Sequence, residues 1–185
     1  MKYNTDLIRE RYNRGEKLEF IFFWGHTSKP GKIKKSCLSQ WYDCRFEENG
    51  VLYHTTEQYM MSKKALLFGD NETFEKIMSS EDPRDYKALG REVKNFNPET
   101  WDAKKYEIVL AGNILKFSQN EELKSFLLDT GDKILAEASP YDGIWGVCLA
   151  MDNPLIENPN NWNGKNLLGF ALMETRDILR DAGQM

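Results

Sequence analysis

Two carboxylates carry the chemical interest of this sequence. Glu57 lies in "HTTEQYMMSKKA", His54 to Ala65, where a helix should begin. Thr55 has the residue type of an N-cap, and Gln58 follows at the spacing of a capping box. Glu57 is then the second helical residue. Met60, Met61 and Lys64 follow three, four and seven residues later, on its side of the helix. An acid in a first turn has two uses. It favours the helix macrodipole by a few tenths to ~1 kcal/mol, or it serves as a general base if another part of the chain supplies a partner. Asp142 lies in "EASPYDGIWG", a turn bounded by Pro140 and Gly143. Aspartate in such a turn bonds nearby backbone amides. With Trp145 and Gly146 following, the same stretch also suits a flat ring on a sugar: the indole stacks and the acid handles the sugar.

A third group, "NWNGKNLLGFALM", places Trp162, Gly164, Lys165 and Asn166 ahead of the final helix. Helix N-terminal amides beside a lysine suit a phosphate. The same residues equally describe an ordinary helix start with a packed tryptophan. Arg91 in "LGREV" and Lys64 are further candidates for phosphate, with Lys63 the weaker of the neighbouring lysines. Lys32, Lys34 and Lys35 read as a solvated basic loop. "LSQWY", Leu38 to Tyr42, combines a hydroxyl, an amide and two aromatics, and lines a base pocket or forms core and edge. "KFSQN", Lys116 to Asn120, reads as a helix end leading into a cap, with no chemistry assigned.

The elements that position these residues belong to an ordinary globular chain. It has 185 residues, 41% hydrophobic and 29% charged, enough for one domain with a true core. A net charge of -4 gives no overall attraction to nucleic acid or anionic membrane. No apolar run is long enough to span a bilayer, and "MKYNTDLIRERYNRGEK" lacks the apolar stretch of a signal peptide, so the expected compartment is the cytoplasm. Three cysteines and two histidines match no disulfide framework and no zinc spacing; no metal is expected. Phosphate-loop, dinucleotide and nucleophile-elbow motifs are absent from the sequence.

Residues 5–13 read as a short helix capped by Thr5. "LEFIFFWG" reads as a buried strand, Pro30-Gly31 as a turn, and "GVLYHTT" as a strand running into the Thr55 cap. Asp82-Pro83 starts a helix through about Val93, and Asn97-Pro98 a longer one through about Phe117. Its inward face is expected to hold Trp101, Ile108, Val109, Gly112 and Leu115. Asn120 starts another helix, with Leu123, Phe126 and Leu127 inward and Gly131 near its end. "KILAEAS" and "IWGVCLA" read as two short strands around the "PYDG" turn. A last helix runs from about Asn166 to Asp181, with Leu168, Ala171, Leu172, Ile178 and Leu179 on one stripe. The fold class is therefore α+β: a predominantly helical single domain, 1–185, with a few short strands and residues 1–18 as a helical extension.

Taken in order, "FFWGH", "LSQWY", "EQYMMSKKALLFGD", "LGREVKNF", "KFSQN", "EASPYDGIWGV" and "NWNGKNLLGFALM" resemble the NADAR (YbiA-like) family along nearly the whole chain. The resemblance implies an α+β domain that cleaves N-glycosidic bonds, with an acid at Glu57 and with Asp142 and Trp145 also in the site. It implies a phosphoribosylaminopyrimidine of riboflavin synthesis as substrate. The alternatives are ADP-ribosyl-guanine in nucleic acid, or an ADP-ribose or nucleotide held without catalysis. Cys148 stands where many members have glycine, and Asp43 where proline is common.

Cleavage of a ribosyl C–N bond passes through an oxocarbenium-like sugar. The expected roles follow. Glu57 activates water and stabilises the cation, and Asp142 holds the ribose hydroxyls or shares the role of base. Trp145 stacks on the base, while Lys64, Arg91 and Lys165 face the 5′-phosphate. This chemistry calls for no cofactor, and its partner is a small molecule, with nucleic acid only under the alternative.

Overall fold

The structure is a computed structural model and describes residues 1–27 and 32–183. In chain order its elements are α1 (Thr5–Asn13), β1 (Phe20–Phe23), β2 (Phe46–Glu48), β3 (Val51–Tyr53), α2 (Thr56–Leu67) and α3 (Asn71–Ser79). There follow α4 (Pro83–Arg91), α5 (Pro98–Gln119), α6 (Glu121–Asp129), β4 (Ile134–Glu137) and α7 (Leu167–Ala182). The fold class is α+β and mainly helical, as expected. The expected Pro30-Gly31 turn lies outside the described residues. No helix among the described residues is long and apolar enough to cross a membrane. The chain forms two compact units: Gln40–Glu121, and Met1–Ser39 together with Glu122–Met185.

In the Gln40–Glu121 unit, local signals set the helix starts. The Thr55 hydroxyl accepts the Gln58 N–H at 3.0 Å, and the Gln58 amide oxygen accepts the His54 N–H at 2.8 Å. The capping box therefore reaches one residue further back than its usual partner, the cap's own N–H. Asp70, Asp82 and Asn97 cap α3, α4 and α5, the latter two followed by proline at the first helical position. α2 packs against α3, α4 and α5. β2 and β3 form an antiparallel hairpin closed by Asn49 and Gly50, with φ of 51° and 80°. Both turn residues are left-handed, as a two-residue hairpin requires. Above it Phe46, Tyr53 and Tyr59 pack as one aromatic cluster, with ring centroids 5.0–6.0 Å apart.

The face that α5 buries differs from the expected one. Val109 and Gly112 are inward, but Lys105, Asn113, Lys116 and Phe117 accompany them in place of Trp101, Ile108 and Leu115. Polar side chains thus enter this core by design of the fold rather than by hydropathy.

In the other unit, β1 and β4 pair in parallel, with Phe20 opposite Ile134 and Phe23 opposite Glu137. α7 packs on β4. From Leu167 to Met173 every residue of α7 is buried, whereas Ile178, expected on the inward stripe, is exposed. Arg176 is buried, and its Nη1 ties the end of α6 to β4 by donating to Thr130 Oγ1 at 2.8 Å and the Lys133 carbonyl at 2.9 Å. The cap of α1 is Asn4, whose Oδ1 accepts the Leu7 N–H at 2.8 Å; Thr5 is already helical. A longer acceptor arm placed one residue earlier reaches the free amides better than the Thr5 hydroxyl would. "IWGVCLA" is not a strand. Its backbone bonds to residues 164–168 in a loop rather than a ladder.

Candidate functional site

Glu57 is the second residue of α2 and is 5% exposed. Its N–H donates to the Gln40 carbonyl at 2.9 Å, and the Thr56 hydroxyl donates to the same oxygen at 3.1 Å. Gln40 is therefore held against the first turn of α2 by its carbonyl. The surroundings are polar: Gln40, Thr55, Thr56, Gln58 and Ser62 are all buried. A carboxylate held in such a turn has the favourable helix end behind it and little water around it, the setting of a general base.

Lys64 is on α2 as well, but its ammonium is engaged. Nζ donates to the Gly90 carbonyl at 2.6 Å and lies 4.3 Å from the Phe96 ring centroid and 5.4 Å from that of Trp101. It closes the C-terminal end of α4, and burial pushes its pKa down. Arg91, the last residue of α4, is exposed. Lys64 thus serves the packing of three helices, whereas Arg91 is open to an anion.

In the second unit the residues 142–148 and 164–168 form one hydrogen-bonded assembly. Asp142 Oδ1 accepts the N–H groups of Ile144 and Trp145 at 2.9 and 2.8 Å. This is the turn-forming role of aspartate, and no hydrogen bond from a described residue reaches Oδ2, which leaves that oxygen for a ligand. Trp145 is half-buried, and its indole makes no ring contact or hydrogen bond among the described residues. Gly146 is buried. A Cβ there would lie 2.9 Å from the Glu137 carbonyl oxygen, so a side chain has no room.

The start of α7 does not offer its amides to a phosphate. The N–H groups of Lys165, Asn166, Leu167 and Leu168 donate to the carbonyls of Gly143, Gly146, Ile144 and Trp145. The donors of Asn166, Leu167 and Leu168 at this helix end are thus taken up by the Asp142 loop. Asn166 is fully buried; its Oδ1 accepts the Glu137 N–H and its Nδ2 donates to the Leu135 carbonyl, both at 3.0 Å. Trp162 is 1% exposed, and its Nε1 donates to the Ile156 carbonyl at 2.7 Å. Both pack in this unit, with their side-chain polar atoms bonded within the protein. The Lys165 side chain is exposed. A cleft of about 340 Å³ beside it has Asn4, Asp6, Arg9, Trp162, Gly164 and Lys165 among its lining residues, and does not include Asp142 or Trp145.

Among the described residues no group of three or more His, Cys, Asp or Glu side chains is arranged to hold a metal ion. Cys37 and Cys44 are buried and Cys148 is half-buried.

A NADAR domain model matches residues 22–180. The chain belongs to the NADAR family. It is 46% identical over 164 residues to an N-glycosidase of Acanthamoeba polyphaga mimivirus, covering 86% of this chain and 95% of that protein. It is 29% identical over 144 residues to a riboflavin biosynthesis protein of Vibrio vulnificus, covering 78% of this chain but only 35% of that protein. The NMR structure of the Escherichia coli protein YbiA superposes with a TM-score of 0.73 and 24% identity, over 90% of this chain and 88% of that one. At that identity the likeness concerns the fold. The NADAR match begins after α1, so the helix Thr5–Asn13 lies outside it.

Within this NADAR chain, Gln40 belongs to the "LSQWY" segment that the sequence offers as a base-pocket lining, whereas the buried polar residues Asn113 and Lys116 carry no role in the sequence reading. Lys116 is fully buried, with Nζ 5.5 Å from the centre of the Tyr42 ring. The available signal was their helical spacing: Val109, Gly112, Asn113 and Lys116 repeat at three and four residues, which puts an amide and an ammonium on an inward face.

Proposed function

We propose that this protein is an N-glycosidase that hydrolyses the bond between a phosphoribose and a base. The proposed substrates are the phosphoribosylaminopyrimidine intermediates of riboflavin synthesis. The observation that carries the reading is Glu57, a carboxylate 5% exposed in the first turn of α2 under the Gln40 carbonyl. Membership of the NADAR family supports the reaction class, as does the relative named an N-glycosidase. The relative named a riboflavin biosynthesis protein supports the substrate.

In this reaction water attacks C1′ while the C–N electron pair leaves with the base nitrogen. Glu57 takes the proton of the attacking water, and its negative charge favours the oxocarbenium-like sugar. Glu57 then gives up that proton and the departing nitrogen takes one, so that water supplies OH to C1′ and H to the base, and both products are neutral apart from the phosphate. Asp142 Oδ2 accepts from a ribose hydroxyl, Trp145 stacks on the base, and Arg91 and Lys165 supply positive charge for the 5′-phosphate.

The test supplies the protein with three compounds: a phosphoribosylaminopyrimidine, DNA carrying ADP-ribosylated guanine, and free ADP-ribose. Released base and sugar are measured for the native protein and for Glu57→Gln. The expected result is base release from the first compound, reduced by ~10²–10⁴-fold in the variant. Preferential release from the DNA would assign the alternative substrate. Binding of ADP-ribose without release from any compound, or a variant within about threefold of the native rate, would reject the assignment.

A further inference from the structure

Beneath the first turn of α2, two side-chain amides are joined by a single hydrogen bond. Asn113 Nδ2 donates to Gln40 Oε1 at 3.2 Å and to the Val109 carbonyl at 2.8 Å. Gln40 is 7% exposed and Asn113 fully buried. Gln40 Nε2 and Asn113 Oδ1 are buried with no hydrogen-bond partner among the described residues.

The bonding fixes which atoms are the spare ones. Turning the Asn113 amide over would set its oxygen against the Val109 carbonyl oxygen, two acceptors facing each other. With Asn113 fixed, turning Gln40 over would set two NH₂ groups together. The spare atom on Gln40 is therefore a donor, and the spare atom on Asn113 an acceptor. Buried polar atoms are almost always bonded, because leaving them unmade forfeits their hydration with no return. Two such atoms on one bonded pair point to an occupant that supplies the complementary groups.

The pair is also tied to the candidate base. The Gln40 carbonyl accepts both the Glu57 N–H and the Thr56 hydroxyl, so the residue carrying the spare donor is bonded to the residue carrying the carboxylate. We propose that Gln40 and Asn113 form a subsite for the base of the substrate, with Gln40 Nε2 donating to a carbonyl oxygen and Asn113 Oδ1 accepting from the adjacent ring N–H. A lactam edge, C(=O)–NH, presents that acceptor and donor side by side. The proposal rests on the N-glycosidase reading and adds a determinant of which base is cleaved.

The test uses two phosphoribosyl substrates that differ only in one ring carbonyl of the pyrimidine, together with a 2′-deoxyribosyl analogue. Gln40→Met removes the spare donor at nearly constant volume, and with it the Oε1 acceptor of Asn113, whose Nδ2 keeps its bond to the Val109 carbonyl. It should raise KM for the carbonyl-bearing substrate about tenfold, the upper end of one neutral hydrogen bond. The substrate lacking the carbonyl should change by less than about twofold, so discrimination between them collapses. Gln40→Glu keeps the acceptor for Asn113 and turns the spare donor into an acceptor; it should show the same selective loss. An equal fall on both substrates, or no effect on either, would assign the pair to folding or to a buried water and overturn the proposal. A loss confined to discrimination of the 2′-deoxy analogue would overturn it in favour of a ribose contact. Should both variants fail to fold, the native protein still decides. The side-chain ¹⁵N–H signal of Gln40 should shift on addition of the free pyrimidine base, and an unmoved signal would overturn the subsite. A native protein that binds the base through Gln40 yet cleaves no substrate would instead strike the N-glycosidase reading.

Discussion

Asn166 acts as a substitute strand for β4: its Oδ1 accepts the Glu137 N–H and its Nδ2 donates to the Leu135 carbonyl, each at 3.0 Å. Its backbone is left-handed, with φ of 52°, which asparagine tolerates better than most residues. Asn166→Ala removes both partners and leaves two main-chain groups of β4 unsatisfied. The expected loss is at least ~2 kcal/mol, since each orphaned buried group costs ~1–3 kcal/mol. In thermal unfolding this appears as a Tm lower by roughly 5–15 °C. A variant of native stability with a raised KM would return Asn166 to the binding site.

Trp145 makes no ring contact among the described residues, so its removal should leave the core intact. Trp145→Ala should raise KM by about 5–100-fold, as expected for a lost stacking contact of ~1–3 kcal/mol, with little change in kcat. Steady-state kinetics on the phosphoribosylaminopyrimidine decide it; unchanged constants would remove the indole from base binding.

Gly164 lets the two halves of the site loop meet. A Cβ there would lie 2.1 Å from the Gly146 carbonyl oxygen. Gly164→Ala must push that backbone away, at about 1–3 kcal/mol, and displace Asp142 and Trp145 with it. Gly183→Ala is the control, because its nearest neighbours would be 3.6 Å away. Denaturant unfolding should show a loss for the first and a change within about 0.5 kcal/mol for the second.

Cys148 has φ of 60°, in the left-handed region. Left-handed backbone costs a non-glycine residue roughly 1 kcal/mol. Cys148→Gly should match or exceed native stability, the gain being offset in part by the freer unfolded chain. Cys148→Val, β-branched at the same φ, should lose about 1–2 kcal/mol. Melting curves of the two variants should therefore fall on opposite sides of the native one, or the glycine variant on it.

Asp70 contributes to acid sensitivity in the Gln40–Glu121 unit, beside Glu72. Its carboxylate accepts the N–H of Lys94 at 2.8 Å and that of Thr73 at 3.1 Å, and these bonds, the Lys94 bond foremost, lower its pKa from 3.8 to about 2. A pKa depressed in the folded state contributes stability that is complete above the unfolded value and lost as pH falls through the folded one. Tm should therefore decline between about pH 4 and pH 2, and Asp70→Asn should flatten that decline. An equal slope in both proteins would assign the acid sensitivity elsewhere.

Helix starts were legible because their signals are local. Thr55, Asp82-Pro83 and Asn97-Pro98 each announce a helix within four residues, and each does so in the structure. The Asn49-Gly50 hairpin was equally announced, by two residues suited to positive φ, but β2 went unread because only its partner is apolar enough to notice. "IWGVCLA" misled for the opposite reason. Its apolar residues are real, yet what buries them is a loop bonded to residues over fifteen positions away, which no periodicity records. The site shows the same divide. Glu57 was placed correctly at the second position of its helix, whereas its burial depends on Gln40, which arrives from another segment. Hydropathy assigns Lys116 and Asn113 to the surface, so an inward face built from them cannot be found by looking for apolar stripes.

The parallel pairing of β1 with β4 has a consequence for synthesis. Phe20 cannot meet Ile134 until the ribosome has made everything between them, and the continuous Gln40–Glu121 stretch lies wholly within that interval. As the nascent chain emerges, Gln40–Glu121 can complete its own contacts first while "FIFF" waits with an unmatched edge. That waiting strand is the part of the molecule a chaperone would have most reason to hold.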